Sequence, residues 1–227
     1  MELNFQVLFM TSACIIGCMQ VRLLQTGAFY ENCWLLWNEP DHVFIVDPGD
    51  DSEMIISALK KNGLKPSSIL LTHGHLDHIS ALPALVAAYP IPVYMSAADA
   101  QWAFTPVNAI PPYQSVLEPP VGLDTDLHEG RIIEAGTLKA RVINTPGHSP
   151  GCVCFAFDAE KILVAGDTLF QNSIGRTDLP GSSGAKMAAS LTKLMKLDDN
   201  FKVLSGHGDA TTIGDERRNN PFIAELD

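Results

Sequence analysis

Four stretches of this chain run from apolar residues into a histidine or an aspartate with glycine close by. Ile69-Leu70-Leu71 leads into "THGHLDH", which sets His73, His75, Asp77 and His78 within six positions. A run ending near Thr145 leads into "PGHSPG" and His148, Ile162 to Ala165 leads into Gly166-Asp167, and Val203-Leu204 leads into "SGHG" and His207. A short apolar run stopped by turn residues reads as a buried strand. Each of these polar residues therefore sits at the carboxyl end of an expected strand. In layered α/β proteins that rim gathers functional side chains from distant parts of the chain.

The remaining elements fit the same scheme. "QVRLLQTG" and "NCWLLWNE" read as two strands around a turn, and "HVFIVDPGD" as a buried strand stopped by Asp47-Pro48-Gly49. "SEMIISALKKNG" has helical spacing, with Ser52 as the expected N-cap and Gly63 as the stop. "ISALPALVAAYP" reads as a helix ending at Pro90, "PVYM" as a strand, and the proline-rich segment 105–120 as a long loop. Strands near "GRIIEAG", "LKARVINT", "CVCFAF" and "KILVAG", the helix "GAKMAASLTKLMKL" and the strand "FKVLSG" repeat the rhythm. The expected architecture is an α/β sandwich with the sheets inside and the helices outside.

Composition narrows the partners. A formal net charge of −11, with no basic run denser than Arg217-Arg218, opposes a phosphate-binding surface, so no nucleic-acid partner is expected. At 227 residues without a dividing linker, the chain reads as one domain over 19–227, preceded by an N-terminal extension, 1–18. That extension is apolar, yet no Lys or Arg precedes Arg22, unlike the start of a secretion signal. Its apolar run is also too short and broken to span a bilayer, so no membrane partner is expected. The five cysteines, Cys14, Cys18, Cys33, Cys152 and Cys154, are odd in number and form no C-x-x-C pair. A reduced, cytoplasmic setting is the expectation. Cys152 and Cys154 read as small buried residues on one face of a strand.

Spacing gives the cluster its chemistry. In an extended segment, residues 73 and 75 project to one side, so two imidazoles can grip one ion, and Gly74 lets the backbone bend between them. Asp77 and His78 fall at the start of the next helix and can serve a second position. Imidazole and carboxylate donors suit zinc, iron or manganese. His42 and His128, isolated from this pattern, read as ordinary polar residues.

Together, "THGHLDH", "TPGHSPG", "AGDTLF" and "SGHG" resemble the signature set of the metallo-β-lactamase-fold hydrolases, from about Val21 onward. "ENCWLLW", "DPGD", "SIGRTDLPG" and "TTIGDERRNNPF" are most similar to the small glyoxalase II-like (hydroxyacylglutathione hydrolase-like) members. The resemblance implies a four-layer αβ/βα sandwich with a dinuclear metal site at the sheet edge. It implies one ion, zinc by preference and iron or manganese as alternatives, on His73, His75 and His148. A second ion is implied on Asp77, His78 and His207, with Asp167 bridging; Asp77 and Asp167 are the implied catalytic carboxylates. Antibiotic-hydrolysing relatives typically place Cys at position 167. Two departures stand out: Ile79-Ser80-Ala81 replaces the usual glycines, and only twenty residues follow His207, where glyoxalase II enzymes carry a glutathione-contacting helical segment.

The implied activity is hydrolysis of a small-molecule thioester of the S-lactoylglutathione type by a metal-bridging hydroxide. Persulfide dioxygenases share the histidine signature and a related "GRTD" segment but use one iron, and other esterases or lactonases and non-catalytic metal-binding modules are the remaining alternatives. Arg176 and Asp178 of "GRTD" read as a loop-fixing ion pair.

Overall fold

A computed structural model describes residues 19–226, so the expected extension 1–18 lies outside the described residues. The first sheet contains β1 (Gln20–Thr26), β2 (Glu31–Trp37), β3 (Val43–Val46), β4 (Pro66–Leu70) and β5 (Val93–Tyr94), in that order. Its first three strands run antiparallel, and β3, β4 and β5 are parallel. The crossovers carry α1 (Ser52–Lys61), α2 (Leu76–Ile79) and α3 (Leu82–Ala88). Next come α4 (Ala97–Ala100) and the proline-rich loop, which contains one 3-10 turn at Pro106–Asn108.

The second sheet takes β6 (Ile132–Ala135), β7 (Leu138–Asn144), β8 (Val153–Phe157) and β9 (Ile162–Gly166). A hairpin of β10 (Leu169–Phe170) and β11 (Ser173–Ile174) and the helix α5 (Gly184–Leu194) separate these from β12 (Lys202–Ser205) and β13 (Thr211–Thr212). The order is β13-β12-β9-β8-β7-β6, parallel only between β12 and β9. Two helices, α6 (Ile213–Asn219) and α7 (Pro221–Ala224), close the described chain.

Strand periodicity explains the four layers. Along β2 and β3, Cys33, Leu35, Val43 and Ile45 face a core shared with Ile55 and Leu59 of α1 and Leu82 and Leu85 of α3. The alternate residues Trp34, Leu36, Phe44 and Val46 face the second sheet. On that sheet Phe155, Phe157, Ile162 and Val164 face inward, while Cys154, Ala156, Leu163 and Ala165 face Met187, Leu191 and Leu194 of α5. Both faces of each central strand are buried, which is why these strands read as unbroken apolar runs.

Some local expectations shift. The N-cap of α1 is Asp51, at φ 49°, one residue before Ser52, and it caps without a side-chain hydrogen bond. The "ISALPALVAAYP" helix is only α3, because Pro83 suits a first helical turn and Tyr89, ahead of Pro90, is extended. Cys152 lies just ahead of β8 rather than within it, where its sulfur meets the Ser149 hydroxyl at 3.0 Å. Among the described residues, no helix is long and apolar enough to cross a membrane.

Phe155 is fully buried in the apolar core between the sheets. Phe155→Ala should cost about 3–5 kcal/mol in urea unfolding. A loss within about 0.5 kcal/mol, typical of surface positions, would contradict its place in the inter-sheet core.

Candidate metal centre

The described strand ends converge on one edge of the sandwich. β4 delivers Thr72 and His73; the turn into α2 presents His75, Asp77 and His78. His148 comes from the β7–β8 loop, Asp167 from the β9–β10 connection and His207 from the β12–β13 loop. All seven residues expected from the sequence meet here. His73, His75 and His148 bring one ligand atom each within 4.8 Å of one another, and so do Asp77, His78 and His207. Asp167 spans the two groups: Oδ1 lies 3.5 Å from His78 Nε2, and Oδ2 lies 3.5 Å from His148 Nε2 and 3.7 Å from His207 Nε2. His42 lies near Glu39, and His128 pairs with Asp126 at 2.9 Å on the surface, both apart from this group.

The outer ring nitrogens are anchored. His148 Nδ1 donates to the Arg176 carbonyl at 2.9 Å, and His207 Nδ1 donates to the Phe29 carbonyl at 3.2 Å. His73 Nδ1 lies 3.1 Å from Thr72 Oγ1, whose own proton goes to Asp47 Oδ2 at 2.6 Å. Asp47 Oδ2 also faces His78 Nδ1 at 3.2 Å. With Nδ1 so engaged, each of these four rings turns its Nε2 toward the centre. His75 differs, meeting His148 Nε2 through Nδ1 at 2.9 Å.

Sequence reasoning took Asp47 only as a turn residue. Its carboxylate is buried, and Oδ1 accepts the Thr72 backbone N–H at 2.7 Å. Asp47, His73 and His78 also lie close enough to suggest an ion site. Both Asp47 oxygens already accept hydrogen bonds, so its chemistry here is orienting two imidazoles. The "ENCW" stretch has a comparable part. Asn32 Nδ2 donates to the Ser205 and Gly208 carbonyls at 3.0 and 2.9 Å, and Trp34 Nε1 donates to Ser205 at 3.1 Å. These bonds hold the His207 loop of the second sheet against β2 of the first. Arg176 and Asp178 form the expected exposed ion pair, at 2.6 and 2.8 Å, while the Arg176 carbonyl reaches the centre.

Electrostatics follow from burial and neighbours. Burial and the surrounding imidazoles push the His73 pKa well down, and burial with His148 lowers His75 to about 4. Both rings are thus held neutral, the form that can ligate. Burial works against the charge of His78, yet Asp167 and Asp77 outweigh it and raise its pKa well up. Asp77 is lowered by His78 and His207 despite its own burial. Glu31, buried behind His78, is raised by burial. A site that favours a proton on His78 favours a cation in its place.

The donor atoms fit metal ions. His73 Nε2, His78 Nε2 and Asp167 Oδ1 are buried without a hydrogen-bond partner, and all three belong to this cluster. Such orphans are costly unless something electropositive faces them. Gly206 keeps the approach open, since a Cβ there would collide with Asp167 Oδ1 and His78.

Comparisons with known proteins agree with this geometry. A family model described as the metallo-beta-lactamase superfamily matches residues 26–207. The hydroxyacylglutathione hydrolase GloC of Haemophilus influenzae is 33% identical, over 90% of this chain and 98% of its own length. The probable metallo-hydrolase YqgX of Bacillus subtilis is 34% identical, over 90% and 98%. The crystal structure of BLEG-1 B3 metallo-beta-lactamase is similar at a TM-score of 0.83 and 38% identity, covering 90% of this chain and 99% of that one. TTHA1623 in a di-iron-bound form is similar at 0.79 and 35%, covering 88% and 98%.

Metal removal should therefore destabilise the fold. A chelator should lower Tm and added zinc restore it, by a stabilisation of about 2.7 kcal/mol at a hundredfold excess over Kd. A Tm indifferent to both treatments would contradict the fit of the cluster to an ion.

Proposed function

The chain is a metallo-hydrolase of the metallo-beta-lactamase superfamily, and from that premise we propose that it hydrolyses thioesters at a dinuclear centre. His73, His75 and His148 would hold one ion and Asp77, His78 and His207 the other, with Asp167 shared. The observation that carries this reading is the span of the Asp167 carboxylate, one oxygen toward His78 and the other toward His148 and His207. Zinc suits these imidazole and carboxylate donors, as do iron and manganese. The di-iron form of TTHA1623 supports iron as an alternative.

When bound, two divalent ions supply Lewis-acid polarisation and a water acidic enough to ionise near neutral pH. The protein's own groups do the rest. Asp77, kept ionised by His78 and His207, and Asp167 offset cationic charge and orient the attacking water. The anchored Nδ1 atoms keep the imidazoles from turning, so no reorganisation is needed as charge develops on the substrate carbonyl. A thiol leaving group of pKa about 8.5 departs as thiolate without a general acid.

The rim offers apolar contact for the acyl or thiol portion. Trp102 lies 5.1 Å from the His75 ring, and Phe170 lies 6.3 Å from His207. Tyr113 of the proline-rich loop stacks edge-on to Phe29 at 5.5 Å, and its hydroxyl accepts the Ala28 N–H at 3.0 Å. Because Phe29 also supplies the carbonyl for His207, this loop is wired to the centre. The name of the Haemophilus influenzae relative supports an S-acylglutathione as the first substrate to assay.

Metal-loaded protein should hydrolyse S-lactoylglutathione in preference to lactones, phosphoesters and a β-lactam. Asp167→Ala should lose both bound metal and turnover, by at least about 100-fold, the upper end of what an outer-shell change costs. One iron per chain with persulfide-dependent oxygen uptake, or β-lactam turnover exceeding thioester turnover, would overturn this reading.

A further inference from the structure

The loop bearing His73 and His75 and the loop bearing His148 come from different halves of the chain, and one buried carboxylate outside the ligand set joins them. Asp99 on α4 is fully buried. Its Oδ2 accepts the Gly74 backbone N–H at 2.9 Å and the Ser149 hydroxyl at 2.6 Å. Its Oδ1 accepts the Gly151 N–H at 2.7 Å and Trp102 Nε1–H at 3.2 Å. Gly74 lies between His73 and His75, and Ser149 and Gly151 follow His148. On the far side, Asn108 Nδ2 donates to the Gly74 carbonyl at 2.7 Å, which closes that loop from both directions.

All four partners of Asp99 are donors. A carboxylate has acceptor capacity for them on its two oxygens, whereas an amide offers a single acceptor oxygen and would set its own N–H groups against two donors. Burial raises the Asp99 pKa, and the hydrogen bonds from Ser149, Gly151 and Gly74 pull against it. The approach is tight as well. A Cβ at Gly151 would collide with the Ser96 hydroxyl and crowd the Asp99 carboxylate and backbone. The two loops it joins carry His75 and His148, whose facing nitrogens lie 2.9 Å apart.

We propose that Asp99 is a positioning residue of the metal centre, cross-linking the two ligand loops so that His75 and His148 face one ion. This rests on the reading that those two rings share an ion. Trp102 extends the same strap, with its N–H on Asp99 and its ring beside His75.

The test uses the full chain stripped of metal and titrated with zinc against a chromophoric chelator, with the absorption spectrum of the cobalt-loaded protein as a second readout. Asp99→Asn should weaken the tighter zinc site by about 100-fold, and Ser149→Ala, which removes one donor and keeps three, by about tenfold, the range that outer-shell partners command. Both should alter the cobalt spectrum. Ser149→Ala decides the matter if Asp99→Asn fails to fold. Wild-type zinc affinity and an unchanged cobalt spectrum in the folded variants, whatever their melting temperatures, would reduce Asp99 to a purely structural residue and overturn the proposal. A wild-type chain that binds neither metal would overturn the reading of the centre itself, and this inference with it.

Discussion

Buried acceptors that meet no donor are among the costliest features a folded protein can keep. This protein concentrates three of them, His73 Nε2, His78 Nε2 and Asp167 Oδ1, at one edge of its sandwich. The other side of each ring explains how they came to be orphans. Because Nδ1 of His73 and of His78 is committed to Thr72 and Asp47, the free lone pairs can point only inward. Cations bound on either side of Asp167 would satisfy all three atoms, and much of the surrounding structure keeps them aimed inward.

The sandwich supplies the rigidity this requires. Its inter-sheet core is apolar and dense, with Phe44 meeting Phe157 edge-on at 5.9 Å, so neither sheet can slide without opening a void. At the functional edge apolar packing gives way to polar straps. Asp47 ties the end of β3 to the end of β4, Asn32 ties β2 to the His207 loop, and Asp99 ties the His73–His75 loop to the His148 loop. Each strap is a buried group with its hydrogen bonds made, the condition under which such groups add order to a structure.

What the sequence disclosed follows from where its signals are local. The seven residues of the cluster were legible because apolar runs lead into the short segments that carry them and because those segments resemble a family signature, which also implied the four layers. Asp47 sat in plain view in "DPGD", yet turn chemistry accounts for an aspartate there without any reference to His78. Asp99, in "SAADAQW", gives little local sign, since three of the four groups its carboxylate accepts from lie 25 to 52 residues away in sequence. The elements missed, α4, α6, α7, β10, β11 and β13, are two to seven residues long, too short to show a periodic pattern of their own. Asp51 displaced Ser52 as the N-cap because the turn after Asp47 enters α1 through a left-handed residue.

The central claim is that one cluster holds two ions on either side of a shared aspartate. Anomalous diffraction from crystals of the zinc-loaded protein, recorded on both sides of the zinc absorption edge, tests it most directly. The account gives two peaks, one among His73, His75 and His148 and one among Asp77, His78 and His207, with the Asp167 carboxylate between them. A single peak, or ions bound away from these seven residues, would contradict it.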